Sequence, residues 1–113
     1  MTYVKINGKT YPATINGKFA DREWGNRESK AITLEMDYAT AAALFVDGLN
    51  WIIVMDIEQM QEDGSVIIAQ EEYDNSDYDV AGPITDNRNG TVTVKMGKVT
   101  AQELLAVLTG EVQ

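Results

Sequence analysis

Three stretches of this chain hold residue types that do chemistry. The densest is Glu71-Glu72-Tyr73-Asp74-Asn75-Ser76-Asp77-Tyr78-Asp79. Calcium takes carboxylate and amide oxygens from alternating loop positions, and Asp74, Ser76 and Asp77 would begin such a site. The EF-hand spacing fails. Tyr78 stands where a third side-chain oxygen belongs, and the glycine of that motif is missing. The stretch therefore reads as a solvated turn joining two strands. Asp86-Asn87-Arg88-Asn89-Gly90 carries similar groups, which hairpin-turn geometry explains better than a metal does. The third stretch, Asp21-Arg22-Glu23-Trp24-Gly25-Asn26-Arg27-Glu28, gathers arginine and tryptophan in a loop-like setting. Both types are enriched where proteins bind one another, so Arg22, Trp24 and Arg27 are the candidate partner-binding residues. The competing use is a local ion-pair cluster with Trp24 folded onto the core.

Composition removes much other chemistry. The chain has no cysteine, so disulfides, thiolate nucleophiles and zinc-thiolate sites are excluded. It has no histidine, the commonest general base and transition-metal ligand. Neither GxGxxG nor GxxxxGK[ST] occurs, so no phosphate-cradling loop is expected. A glycosidase needs two acids facing each other across a cleft, and with 18 acids some pair always looks plausible. No catalytic, cofactor-binding or metal-binding residue is therefore assigned. Eighteen acids against 9 bases give a net charge of -9, which repels nucleic-acid phosphates and anionic membranes. The longest apolar run falls far short of the roughly 20 residues a membrane helix needs. The first residues show no basic segment leading into an apolar one. A soluble, intracellularly made protein is the expectation.

The elements that must position these residues start from residues 49–57, Leu-Asn-Trp-Ile-Ile-Val-Met-Asp-Ile. Trp51 to Val54 leave no polar face, which predicts a strand covered on both sides, in the middle of a sheet. Residues 3–15 predict a hairpin. Asn7-Gly8 suits a type I′ turn, and its register places Val4, Ile6, Tyr11, Ala13 and Ile15 on one core face. Pro12 lacks an N–H, so one side of this second strand is an edge or ends at a bulge. Asn16-Gly17 repeats the turn signal, which predicts a meander with a third run from Lys18 to Trp24 and a polar loop over 25–29.

Residues 30–36 alternate, with Ile32, Leu34 and Met36 inward. Asp37 caps a predicted helix over 38–46, with Gly48 past its end. Strands follow over 65–73, 78–84 and 91–96. Thr100-Ala101-Gln102-Glu103 is a capping box. It opens a last helix with an apolar stripe of Leu104, Leu105, Val107 and Leu108, stopped by Gly110. A helix this short must dock on the sheet to persist. The sum is one domain, residues 1–113, of α+β class. It has a mainly antiparallel sheet of about seven strands and two short helices, left open, closed into a small barrel, or folded as a sandwich.

Three segments carry a resemblance. They are Tyr-Val-Lys-Ile-Asn-Gly-Lys-Thr-Tyr-Pro-Ala-Thr-Ile at 3–15, Arg-Glu-Ser-Lys-Ala-Ile-Thr-Leu-Glu-Met at 27–36, and Asp-Asn-Arg-Asn-Gly-Thr-Val-Thr-Val-Lys-Met-Gly-Lys at 86–98. In these the chain resembles small uncharacterised proteins encoded in phages and prophages of gut Firmicutes. The resemblance implies a setting among tail or other virion genes. It transfers no functional residue.

The leading expectation is a non-enzymatic interaction protein, a phage or prophage structural or tail-associated assembly component. Its partners would be other protein subunits, including copies of itself, through strand edges or the Arg22–Arg27 loop. An acidic inhibitor or DNA mimic that occupies a basic partner is the alternative, from the net charge and the 71–79 run. An enzyme using carboxylates alone, with a divalent ion, is the third.

Overall fold

A computed structural model describes the backbone of residues 1–109 and the side chains of residues 1–106. The strands are β1 (Thr2–Ile6), β2 (Lys9–Asp21), β3 (Arg27–Leu34), β4 (Ile52–Met60), β5 (Val66–Asp74), β6 (Val80–Asp86) and β7 (Val92–Gly97). The helices are α1 (Tyr38–Leu44) and α2 (Ala101–Thr109), and Arg22–Trp24 form a single 3-10 turn. All pairings are antiparallel, in the order β5-β4-β1-β2-β3-β7-β6, and the sheet stays open. The expected α+β class and mainly antiparallel sheet are what the chain adopts.

The first hairpin follows the sequence. Asn7 and Gly8 both take positive φ, and Val4 pairs with Tyr11 and Ile6 with Lys9. The predicted core face is real: Val4 and Ile6 are buried, and Tyr11, Ala13 and Ile15 pack against the same cluster. Opposite them lie Ile32, Leu34, Val92, Val94 and Met96, with Ala41 and Phe45 of α1 and the indole of Trp51 completing the core.

Asn16-Gly17 is not a turn. β2 runs straight through it, with Asn16 opposite Ala31 and Gly17 opposite Lys30. Neither residue takes the positive φ a type I′ turn requires; Gly25 and Asn26 do, after the 3-10 turn. The third run and the polar loop over 25–29 are corrected accordingly. Lys18 to Asp21 belong to β2, Arg27 to Ser29 to β3, and the loop shrinks to Gly25-Asn26. Local turn propensity loses here to the ladder of cross-strand bonds and to the inward packing of Ile15 against Ile32.

The apolar run is also not the middle of the sheet. β4 lies one strand in from the β5 edge. Only its first residues are covered on both sides: Ile53 and Val54 are buried, on opposite faces, and exposure begins at Met55. Trp51 lies just before the strand, fully buried, its indole N–H donating to the Tyr78 carbonyl at 3.0 Å.

α1 has the predicted cap, with Asp37 accepting from the Thr40 N–H at 2.7 Å, but it ends at Leu44 rather than at residue 46. The chain turns there so that Phe45 enters the core and the Asp47 carboxylate can accept from the Ala81 N–H at 2.7 Å. The capping box of α2 forms as expected, Glu103 N–H donating to Thr100 Oγ1 at 3.1 Å and Thr100 N–H to Glu103 Oε1 at 2.9 Å. The expected docking of this helix on the sheet by its apolar stripe is not seen at Leu104 and Leu105, which are both exposed. Its first turn is held by an ion pair, Glu103 with Arg27. Val107 and Leu108 of the stripe, and Gly110, lie outside the described side chains.

Candidate functional site

Of the three predicted binding residues, Trp24 and Arg27 pack together and Arg22 stands exposed. The Trp24 indole lies over two glycines. A Cβ at Gly82 would stand 2.5 Å from its ring, and one at Gly97 would stand 2.9 Å away. Only glycine lets an indole lie this close to the β6 and β7 backbones. The Arg27 guanidinium stacks on the ring at 4.6 Å from its centroid. Its two terminal nitrogens donate to Glu103 at 2.8 and 3.0 Å, and one also donates to the Lys98 carbonyl at 2.9 Å. Its Nε–H is buried and has no acceptor among the described residues. Arg27 thus joins the start of β3 to the first turn of α2. Its charge and the Thr100 N–H hold the Glu103 carboxyl down at about 2.

A second ionic group was not singled out in the sequence. Tyr78 lies between two ammonium groups, Lys30 at 4.3 Å and Lys98 at 4.8 Å from its ring centroid. Its hydroxyl donates to Glu28, and Lys98 also meets Glu28 at 3.5 Å and Asp77 at 3.2 Å. Lys30 donates to Asn75 Oδ1, while Asn75, itself buried, bonds to the Tyr73 and Trp51 carbonyls. Burial, then the bond to Glu28, pushes the Tyr78 phenol up to about 12. A phenol held protonated at neutral pH is no general base. An open hollow of about 440 Å³ lies alongside, lined by Lys30, Ile53, Met55, Tyr73 and Asn75 among others. A sequence signal did exist: the alternation of residues 30–36, carried back two residues at a time, puts Lys30 and Glu28 on the same face as Ile32 and Leu34.

On the opposite face, Asp21 is buried beside Lys95 at 2.9 Å and accepts from the Ser29 hydroxyl and the Glu23 N–H, each at 3.1 Å. The Lys95 bond comes first among the causes that lower its pKa. This pair fastens the bulge between Lys18 and Asp21 to β7.

The acidic run 71–79 does not converge on a point. Glu71 to Asp74 lie along the exposed β5 edge strand, and the Asp74 carboxylate caps its own turn through the Ser76 N–H at 3.0 Å. Asp86 does the same with the Arg88 N–H at 2.9 Å. Among the described residues no group of three or more carboxylates is placed to hold a metal ion.

What stands out is a projecting arm. β1 pairs with β4 as far as Met55, and the Asp56 N–H still donates to the Met1 carbonyl at 2.9 Å, so residues 57–60 of β4 pair with β5 alone. With the connecting tip this makes a two-stranded ribbon in which residues 58–68 are all exposed. Four residues of strand carry it about 13 Å past β1. Met60 is 78% and Ile68 70% exposed, and Val66 and Ile67 are exposed beside them. A compact chain of this length has a radius of gyration of about 13 Å; this one has 16.7 Å.

β2 is also incompletely paired. Its residues 9–12 pair with β1, and its pairs with β3 begin only at Ala13. Pro12, with no N–H, stands at this change of partner, in keeping with the expected edge. Beyond it, β2 has no hydrogen-bonded strand on its β1 side among the described residues. A hollow of about 740 Å³ opens there, lined by Met1, Thr2, Pro12, Ala13, Ile15 and Leu34 among others.

No protein-family model matches the chain, and neither the curated proteins nor the solved structures give a match. Among the described residues no helix is long and apolar enough to cross a membrane.

Proposed function

We propose that this chain is a non-enzymatic interaction protein, a structural or assembly subunit of a phage or prophage particle, tail-associated. The observation that carries the reading is the β4–β5 arm. A monomer gains nothing by holding Met60, Val66, Ile67 and Ile68 in water on a ribbon that is exposed from residue 58 to residue 68. An assembly subunit gains a preformed strand pair with a free edge, ready to add to another sheet. The three segments that resemble phage and prophage proteins supply the setting. Mass spectrometry of purified particles, released from a host carrying the gene, tests the proposal. The chain is expected as a constant component of the particle. Its absence from every particle fraction, with the chain present in the lysate, overturns the reading.

The alternative of an acidic inhibitor or DNA mimic keeps one supporting observation. Residues 31–87 contain no Lys or Arg, so β4, β5 and the tip between them carry acids and no base of their own. That reading requires binding to a basic partner that weakens steeply with salt.

A further inference from the structure

The acidic arm and the open flank of β2 are complementary to each other. All 9 bases lie within residues 5–30 and 88–98. The arm, residues 57–69, carries Glu58, Glu62 and Asp63 and no base. Glu58 and Glu62 are exposed and have no ion-pair partner among the described residues. The far half of β2 and the turn after it carry Lys18 and Arg22, also exposed and also unpaired among the described residues. The acid between them, Asp21, is buried and answered by Lys95. One surface therefore offers an unpaired strand edge, exposed apolar side chains and free carboxylates. The other offers an unpaired strand edge, an open hollow beside Ala13 and Ile15, and free cations.

We infer that the arm of one copy docks along the open edge of β2 in a second copy of this chain. β5 adds to residues 13–18 of β2, and the arm's acids meet Lys18 and Arg22. The inference rests on the interaction-protein reading and names its partner. The other simple pairing, β5 against β5 across a two-fold axis, sets acidic strands against each other, which is unfavourable. Arm on flank is a heterologous contact, so each copy offers one arm and receives another, and the product is a ring or a filament.

Sedimentation of the purified full chain tests this. At about 100 µM, species larger than the monomer are expected, growing with concentration. Ile67→Asp with Ile68→Asp blocks the arm, and Lys18→Glu with Arg22→Glu blocks the flank. All four side chains are exposed, and circular dichroism checks that each variant is folded. Each variant alone is expected to associate at least about tenfold more weakly. Mixed together they are expected to form a dimer that grows no further, because one retains the flank and the other the arm. A monomeric wild type overturns the inference, as does assembly that both variants leave intact, or two monomeric variants that do not combine. Particle content tests the broader reading separately, so a chain found in particles but monomeric when pure refutes this contact alone.

Discussion

Replacing Arg27 by Ala removes the bonds to Glu103 and Lys98 together with the cover over Trp24. Arg27 is nearly buried, with 9% of its side chain exposed, whereas Glu103 is 48% exposed, so solvent screens much of their attraction. The expected cost is about 1–2 kcal/mol, mostly from lost packing and bidentate geometry. Tryptophan fluorescence should move to longer wavelength as Trp24 gains water, and the helical signal of α2 should fall. Arg27→Lys should not rescue either readout, because an ammonium cannot make the two-pronged contact. Of the three residues singled out for binding, Arg22 is the exposed one, with no ion-pair partner among the described residues. What marks Trp24 and Arg27 as a pair is their place above Gly82 and Gly97, far along the chain, which no local spacing reveals.

At the scale of elements, β2 turns on whether Asn16-Gly17 bends. In the structure Gly17 is an interior strand residue without positive φ, and a Cβ there would meet nothing closer than the Ser29 carbonyl at 4.0 Å. Gly17→Thr should therefore stabilise the protein by about 0.5–1 kcal/mol, read as a higher denaturant midpoint. Were these residues a type I′ turn, the same change would destabilise the fold. The hairpin at Asn7-Gly8, by contrast, was legible because both its flanking strands alternate in register with one core face. The caps of α1 and α2 were legible too, since a cap is decided within four residues. The end of α1 was not, since distant contacts of Phe45 and Asp47 set it.

For the whole molecule, the shifted groups define two pH limits. The Glu103 carboxyl falls from 4.5 to about 2 on folding, and Asp21 is also lowered. Below pH 4.5 the unfolded chain binds protons that the folded chain refuses, so stability present above that pH is lost as pH falls toward about 2. Tyr78 rises from 10.0 to about 12. Between those values the folded chain holds a proton that the unfolded chain has released, so stability falls as pH rises through that window. Thermal melts across pH should show both flanks. Glu103→Gln should flatten the acid flank and Tyr78→Phe the alkaline one.

The sequence by itself determined the class of the fold, the first hairpin and its core face, the helix caps and the absence of thiol and imidazole chemistry. These follow from residue type and from periodicities of two or four, which act within a few residues. Tertiary structure alone decided where β4 sits, that β2 crosses a turn signal unbent, and that Trp24 and Arg27 close over one another. It also decided that β1 stops short of its neighbours, leaving an arm and an open flank of opposite charge. Each of these depends on which distant strand lies alongside, and that is a competition among whole pairings rather than a property of any one segment.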